Sequence, residues 1–425
     1  MEFRYGLEER PPAGALILFG LQWLAVVLPA IVIIGRIVGR LHPAGPGGEV
    51  LYVQKLCFVT ACILVGQILW GHRLPLIAGP ATVLLIGVIA SREISSGAVH
   101  SAIAAGGLIL ALLSVTGLFR RLQPLFTARV VAAVLLLIAF TLAPQVMHLI
   151  VGGGNPGSPP GRLIFTLAFL ALVLLAHRFL SGLWKSTLIV WSMLLGSLAC
   201  FALFGPAPAP AAPPVVLFSG FFRDLTLHFS FDPGVLVSFL FCFLALSVND
   251  LGSIQSMDGL LRPADMPARI TRGLGCTGLA NVLAGFFGVI GPVDFSLSPG
   301  VVAASGCASR FTLLPTAAFL FLLAFSPAAI GLVDLIPPVV IGSVLTYILC
   351  AQVAAGLTVL FSAEEGFTFP HGLTIALPLL LGTVIAFLPD GVLEQIPALV
   401  RPVLGNGFVV GVAAALVLEH GIFRK

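Results

Sequence analysis

A chain of 425 residues that is 59% hydrophobic and only 9% charged cannot clothe a water-facing surface, and its mean hydropathy of +1.12 excludes a soluble globular protein of this size. The formal net charge of +4 is small and no basic run exceeds the pair Arg120-Arg121, so nucleic acid is not an implied partner. What remains is a polytopic membrane protein.

The N-terminal stretch "MEFRYGLEERPP" mixes acids with arginines and is unlike the short basic leader of a cleaved signal peptide. A spanning helix needs about 20 apolar residues. By that measure the chain predicts fourteen spans, near 13–36, 50–71, 74–90, 98–118, 128–148, 162–178, 183–204, 234–257, 270–289, 293–309, 311–332, 335–360, 372–389 and 400–422. The third and tenth are short and interrupted. The longest polar connection, 205–233 with "GPAPAPAAPP", divides the chain into two halves of seven.

With the N-terminus in the cytoplasm, the segments on that side collect 14 of the 21 Lys and Arg residues, which places both termini there. The acidic segment "FSAEEGFTFPH" runs against that bias. An odd number of spans per half inverts the second half relative to the first. The stretches "GQILWGHRLPLIAGPATV" and "GFFGVIGPVDFSLSPGVV" superpose without gaps, matching Gly66 to Gly285 and Pro80 to Pro299. "LFTARVVAAVL" and "LIPPVVIGSVL" match in the same way. Inverted repeats with paired, Gly/Pro-interrupted segments point to a transporter's binding site.

In both interrupted segments we read a short extended strand, 75–79 and 293–297, feeding a half-helix that begins inside the membrane. Pro80 and Pro299 suit a first helical position, and Ser298 suits an N-cap. The two strands can pair, because non-helical backbone at that depth must be satisfied by protein. Both half-helix N-termini would then aim free N–H groups at one cavity, with the Asp294 carboxylate at its edge.

Span eight, "FLALSVNDLGSIQSM", carries a second polar cluster, and an intramembrane carboxylate is a candidate functional group by default. Asn249 shares a helical face with Ser253 and Ser256, while Asp250 shares one with Ser247. Which of Asn249 and Asp250 turns to the cavity is open at this level. The seven cysteines fall in apolar stretches without metal-type pairing, the eight histidines are scattered, and no phosphate-binding loop or Ser/His/Asp grouping is legible. Neither an enzyme nor a bound cofactor is implied.

Several of these stretches resemble one family. "GLEERPP" and "LQWLAVVLPAIVI" look like the N-terminal motif and first span of the nucleobase–ascorbate transporters, particularly the bacterial uracil and xanthine permeases. "RLPLIAGPATV", "GFFGVIGPVDFSLSPGVVAASGCASR" and "LIPPVVIGSVL" resemble that family's third, tenth and twelfth spans in the same order. The resemblance implies an all-α polytopic membrane protein of fourteen segments in two inverted repeats of seven, with strands and half-helices in segments 3 and 10. It implies a core domain (13–118 and 234–332), a gate domain (119–204 and 333–425) and the extracytoplasmic connection 205–233. Transport would be elevator-like, in a homodimer in the bacterial inner membrane among its lipids, coupled to a cation.

Carried onto this chain, the solute, a nucleobase, would meet Asn249, Ser253, Phe295, Ser296, Leu297, Ser298, Ala81, Thr82 and Trp23. The chain departs from the family at several of these positions. Asn249 stands where uracil permeases place a glutamate, with Asp250 next to it, and Leu297 stands where they place a second. Trp23 replaces a common histidine and Thr82 an aromatic. An Asn side chain still offers a donor and an acceptor to a nucleobase edge. Proton coupling would pass to Asp250 or Asp294, with H+ preferred over Na+. An anion transporter of the sulfate-permease type and a non-transporting membrane binding protein are the competing expectations.

Overall fold

The computed structural model describes residues 3–41, 48–92, 94–152, 157–181, 184, 188–205, 217–221, 229–331, 336–361, 368–393, 395–397 and 400–423. Most of the connection 205–233, and Lys185, Arg424 and Lys425, lie outside the described residues.

The chain is mostly helical. Its first part runs through α1 (Ala13–Leu41), α2 (Gly48–Leu69), the strand β1 (Ala78–Pro80), α3 (Thr82–Ala90) and α4 (Ser96–Val115). Then come α5 (Ala128–Thr141), α6 (Ala143–Val151), α7 (Pro159–Phe179) and α8 (Leu188–Phe204). The second part runs through α9 (Pro233–Leu261), α10 (Met266–Phe287), the strand β2 (Pro292–Asp294), α11 (Ser298–Ser305) and α12 (Leu313–Ala324). It closes with α13 (Pro338–Phe361), α14 (Phe369–Ala386) and α15 (Gly407–Val417).

Each of the predicted stretches holds helix. Among the described residues, 8 helical stretches, α5 and α6 counted as one, are long and apolar enough to cross a membrane. The fifth stretch is divided at Leu142 into α5 and α6, and the last is broken before α15.

Local chemistry sets several helix starts. Asp232 Oδ1 accepts the Val235 N–H at 2.9 Å ahead of α9, with Pro233 in the first turn. Thr127 caps α5, and the Asn406 carboxamide oxygen takes the Phe408 and Val409 N–H groups at the start of α15.

The helices pack in two groups, α1–α4 with α9–α12 and α5–α8 with α13–α15. In the first group α4 and α10 lie backbone against backbone. A Cβ at Gly278 would sit 2.6 Å from Ala111 N and 2.7 Å from Gly107 O, so these small residues permit the contact. Polar ties cross between the groups. Arg36 Nη1 donates to Ile336 O at 2.5 Å, and Asn406 Nδ2 donates to Ser238 Oγ at 3.1 Å.

The paired strands are present but shifted from 75–79 and 293–297. They run antiparallel with Ala78 opposite Asp294, Gly79 opposite Val293 and Pro80 opposite Pro292. Pro80 is therefore a strand residue, Ala81 is the N-cap and α3 starts at Thr82. Pro tolerates this position because Pro80 faces Pro292 as a non-hydrogen-bonded pair, between pairs that do bond, so the ladder needs neither missing N–H.

The gap-free superposition of the two segments also fails. Residues 70–77 join α2 to β1, against the shorter 288–291 between α10 and β2. One residue, Ala81, separates β1 from α3, whereas 295–297 separate β2 from α11. By contrast "LFTARVVAAVL" and "LIPPVVIGSVL" align as read, since α5 and α13 begin at matching positions.

Candidate functional site

The strand pair is the floor of the site. The Phe295 N–H donates to Ile77 O at 2.8 Å and the Ala81 N–H to Gly291 O at 2.9 Å, extending the ladder at both ends. Ser298 does not cap α11 with its side chain. Its hydroxyl donates to Phe295 O at 2.7 Å and accepts the Ile77 N–H at 3.2 Å, stitching the two interrupted segments together. Leu297 occupies the N-cap position instead.

Two helices clamp this floor. On α9, Asp250 Oδ1 accepts the Asp294 N–H at 2.9 Å, and Ser253 Oγ donates to Asp294 O at 3.0 Å. Asp250 and Ser253, three residues apart, thus face β2. Asn249 lies on the neighbouring face, is partly exposed, and its carboxamide takes no hydrogen bond among the described residues. On α10, Asn281 Nδ2 donates to Pro292 O at 2.9 Å. Asp250 is fully buried, which excludes a helix that has already reached a solvated interface.

The remaining sequence candidates divide by exposure. Ser296 and Leu297 are exposed, Phe295 and Thr82 half-buried, and Ala81 and Ser298 buried. The Phe295 ring lies over Gly79, where a Cβ would come within 2.6 Å of Phe295 Cζ. Trp23 is buried and its indole N–H donates to Thr312 Oγ1 at 3.1 Å, which ties α1 to the start of α12 and leaves the indole no donor for a solute.

At the two half-helix starts, the N–H groups of Thr82 and Val83 and of Ser296 and Leu297 find no backbone acceptor among the described residues. These donors, and the Asn249 carboxamide on the helix that clamps β2, are hydrogen-bonding groups that the described residues leave open.

Four polar side chains near the floor escaped the sequence reading: Gln67, His72, Thr277 and Asn281. Gln67 Nε2 donates to Thr277 Oγ1 and to Gly273 O, both at 3.0 Å, and its Oε1 accepts the His72 N–H at 3.2 Å. His72 Nε2 lies 3.2 Å from Asp294 Oδ2. The available signal was polarity at membrane depth, with Thr277 and Asn281 four apart on one face of α10 and Gln67 and His72 ahead of the broken third segment. Among the described residues no group of three or more His, Cys, Asp or Glu side chains is arranged to hold a metal ion.

Comparison with known proteins bears on the family and the fold. A family model described as "Permease family", that of the xanthine/uracil permeases, matches residues 14–391. The chain is 23% identical to the xanthine permease of Bacillus subtilis, over 97% of this chain and 95% of that protein. It is 24% identical to the nucleobase transporter PlUacP of Paenibacillus larvae, over 94% and 93%. Among solved structures, the transmembrane domain of the cyanobacterial bicarbonate transporter BicA superposes with a TM-score of 0.61 at 15% identity, covering 88% of this chain and 96% of that one. At that identity the likeness speaks for the fold alone.

A family model spanning nearly the whole chain, on a multi-pass helical fold with two half-helices meeting at a strand pair, decides the assignment: this protein belongs to the xanthine/uracil permease family, and is a membrane transporter rather than an enzyme.

Proposed function

We propose that the protein is a secondary transporter of a nucleobase, with a purine base such as xanthine as its substrate. The observation that carries this reading is the antiparallel pairing of β1 with β2, which holds two half-helix starts with free N–H groups together against α9, the helix that bears Asn249. A flat heterocycle with carbonyl oxygens and ring N–H groups needs this mixture. The backbone donors of Thr82, Val83, Ser296 and Leu297 meet its oxygens, the Asn249 side chain answers a donor–acceptor edge, and the half-buried Phe295 ring offers a stacking face. The names of the xanthine and nucleobase transporters matched over nearly the whole chain support the same substrate class.

Two carboxyl groups directly behind the floor argue against an inorganic anion, because their charge opposes the positive ends of the half-helices. In this reading Asp250 and Asp294 carry a coupling proton. The first group of helices is a core that moves against the second, a gate, in an elevator-type cycle within a homodimer, with both termini cytoplasmic.

Radiolabelled uptake in cells lacking their own purine permeases tests the site. Asn249→Ala removes two hydrogen bonds to the base, about 1–3 kcal/mol together, so uptake at low substrate should fall by about 5- to 150-fold while membrane levels stay unchanged. Unaltered uptake in that variant discards Asn249 as a substrate ligand. A panel of purines, uracil, bicarbonate and sulfate in proteoliposomes decides the class.

A further inference from the structure

A valley runs between α4 and α9, outside the solute site. Its walls are one face of each helix: Gly106, Leu110 and Leu113 of α4, at i, i+4 and i+7, and Leu240, Leu244 and Ser247 of α9 with the same spacing. It offers a volume of about 230 Å3. We propose that this valley seats one acyl chain of an anionic phospholipid, whose phosphate is held by Arg121.

Helix packing makes the valley. Phe243 lies against Gly106, where a side chain on α4 would collide with the ring. Ser95 and Ser230 share a hydrogen bond at 3.1 Å just ahead of the two helices, so α4 and α9 start at one level and run the same way. Phe239 and Cys242 of α9 pack on α3 at Gly87, and Asp250 and Ser253 bond to β2. Leu240, Leu244 and Ser247 turn instead to the valley.

The chemistry of the walls selects the occupant. No charged residue lines the valley, and the Ser247 hydroxyl is spent on Leu244 O at 2.7 Å. A purine finds no partner there, whereas a hydrocarbon chain needs none. Beside the valley, Ile109, Leu112 and Val115 are exposed on α4, an apolar surface of the kind that lipid tails cover at membrane depth. From Gly106 to Leu113 the wall extends about 10 Å, and it stops two residues short of the α4 end at Val115.

Phe119 closes that end of the valley, and it opens the single helical turn Phe119–Leu122. Arg121 in that turn is exposed, and its Cα lies within about 8 Å of the Phe119 Cα. A guanidinium on its long stem reaches a phosphate at the mouth from there. With both termini cytoplasmic, this mouth faces the inner leaflet. The charge of Arg121 has no counter-ion. Residues 94–223 contain no Asp or Glu, and among the described residues Arg121 takes no carboxylate partner. Glu419, which the fold brings to the start of α5, is already held by Arg129 Nε at 3.0 Å and Nη2 at 2.8 Å. An anionic headgroup above a hydrocarbon tail complements both the open cation and the apolar slot.

The occupant touches two parts that matter for transport. Ser247 stands three residues ahead of Asp250 on the helix that clamps β2, and Phe119 belongs to the link between the two groups of helices.

Photo-labelling of the purified full chain tests the site. The chain is placed in nanodiscs of dioleoyl-phosphatidylcholine with a trace of phosphatidylglycerol that carries a diazirine on one acyl chain, and labelled peptides are mapped by mass spectrometry. Labelling should concentrate on 106–113 and 240–247, and should exceed that from phosphatidylcholine with the same tail by about fivefold, the worth of one arginine at a lipid surface. Arg121→Gln should bring phosphatidylglycerol down to the phosphatidylcholine level. Leu113→Trp, which fills the valley, should lower labelling by both lipids; Arg121→Gln, a surface change, carries the test by itself if that variant melts below the wild type. Glycerol phosphate in millimolar excess, a headgroup without a tail, should not compete.

Equal labelling by the two lipids overturns the proposal, as does unchanged labelling in Arg121→Gln or labelling concentrated elsewhere. Competition by glycerol phosphate would make this a free-phosphate site, and crosslinks from 106–113 to a second copy would make it a subunit contact; either result also overturns it. None of these readouts depends on which solute the protein carries.

Discussion

Gly79 sits under the Phe295 ring on one side and Val27 on the other, where a Cβ would lie 2.6 Å from Phe295 Cζ and 2.9 Å from Val27 Cγ2. Its need for glycine is one of space. Gly79→Ala should cost about 1–3 kcal/mol, as overpacking does, and displace the ring. Pairing it with Phe295→Ala should recover part of that loss, because both act on the same contact. Thermal melts and xanthine binding of the two single variants and the double variant measure the coupling; strict additivity would show that the ring does not rest on Gly79. The same scale explains why the sequence left Asn249 and Asp250 undecided. Adjacent helical residues point about 100° apart, and only the position of β2 selects Asp250 and Ser253 for the strand and leaves Asn249 to the open side.

Among the elements, the N-terminal segment has a structural reason that its sequence alone does not disclose. It runs beside the link between α11 and α12. The Arg4 N–H donates to Gly306 O at 2.8 Å, the Ala308 N–H to Tyr5 O at 2.9 Å and the Ser309 hydroxyl to Glu9 O at 2.6 Å. Arg310 pairs with Glu8 at 2.7 Å and also donates to Ile68 O at the end of α2. The two ends of that ion pair differ in worth. Glu8 is 58% exposed, so Glu8→Ala should cost less than about 1 kcal/mol. Arg310 is 12% exposed and serves a carbonyl as well, so Arg310→Ala should cost more, about 1–3 kcal/mol. Thermal melts of the two variants compare them directly; equal effects would mean that the bond to Ile68 contributes nothing. The stretch "GLEERPP" is therefore a strap on the far end of the second half-helix, a contact some 300 residues away in sequence.

For the molecule as a whole, an elevator cycle requires the two groups of helices to slide, which breaks the ties between Arg36 and Ile336 and between Asn406 and Ser238. In a cysteine-free background, Ser238→Cys with Asn406→Cys joined by a short thiol crosslinker should stop uptake, and reduction should restore it. Full uptake in the crosslinked protein would mean that this interface does not move.

The amino-acid sequence by itself determined the membrane environment, the succession of apolar segments, the two interruptions and the family. Those features follow from hydropathy and from Pro and Gly, which act within a few residues of where they stand. Tertiary structure alone decided the register of β1 on β2, the unequal connections on either side of the strands, the stitching role of Ser298, and the meeting of His72 with Asp250 and Asp294. Each of these depends on which distant backbone or side chain completes a hydrogen bond at membrane depth. In a low-dielectric interior every buried polar group must find a partner, but nothing local to it names which one.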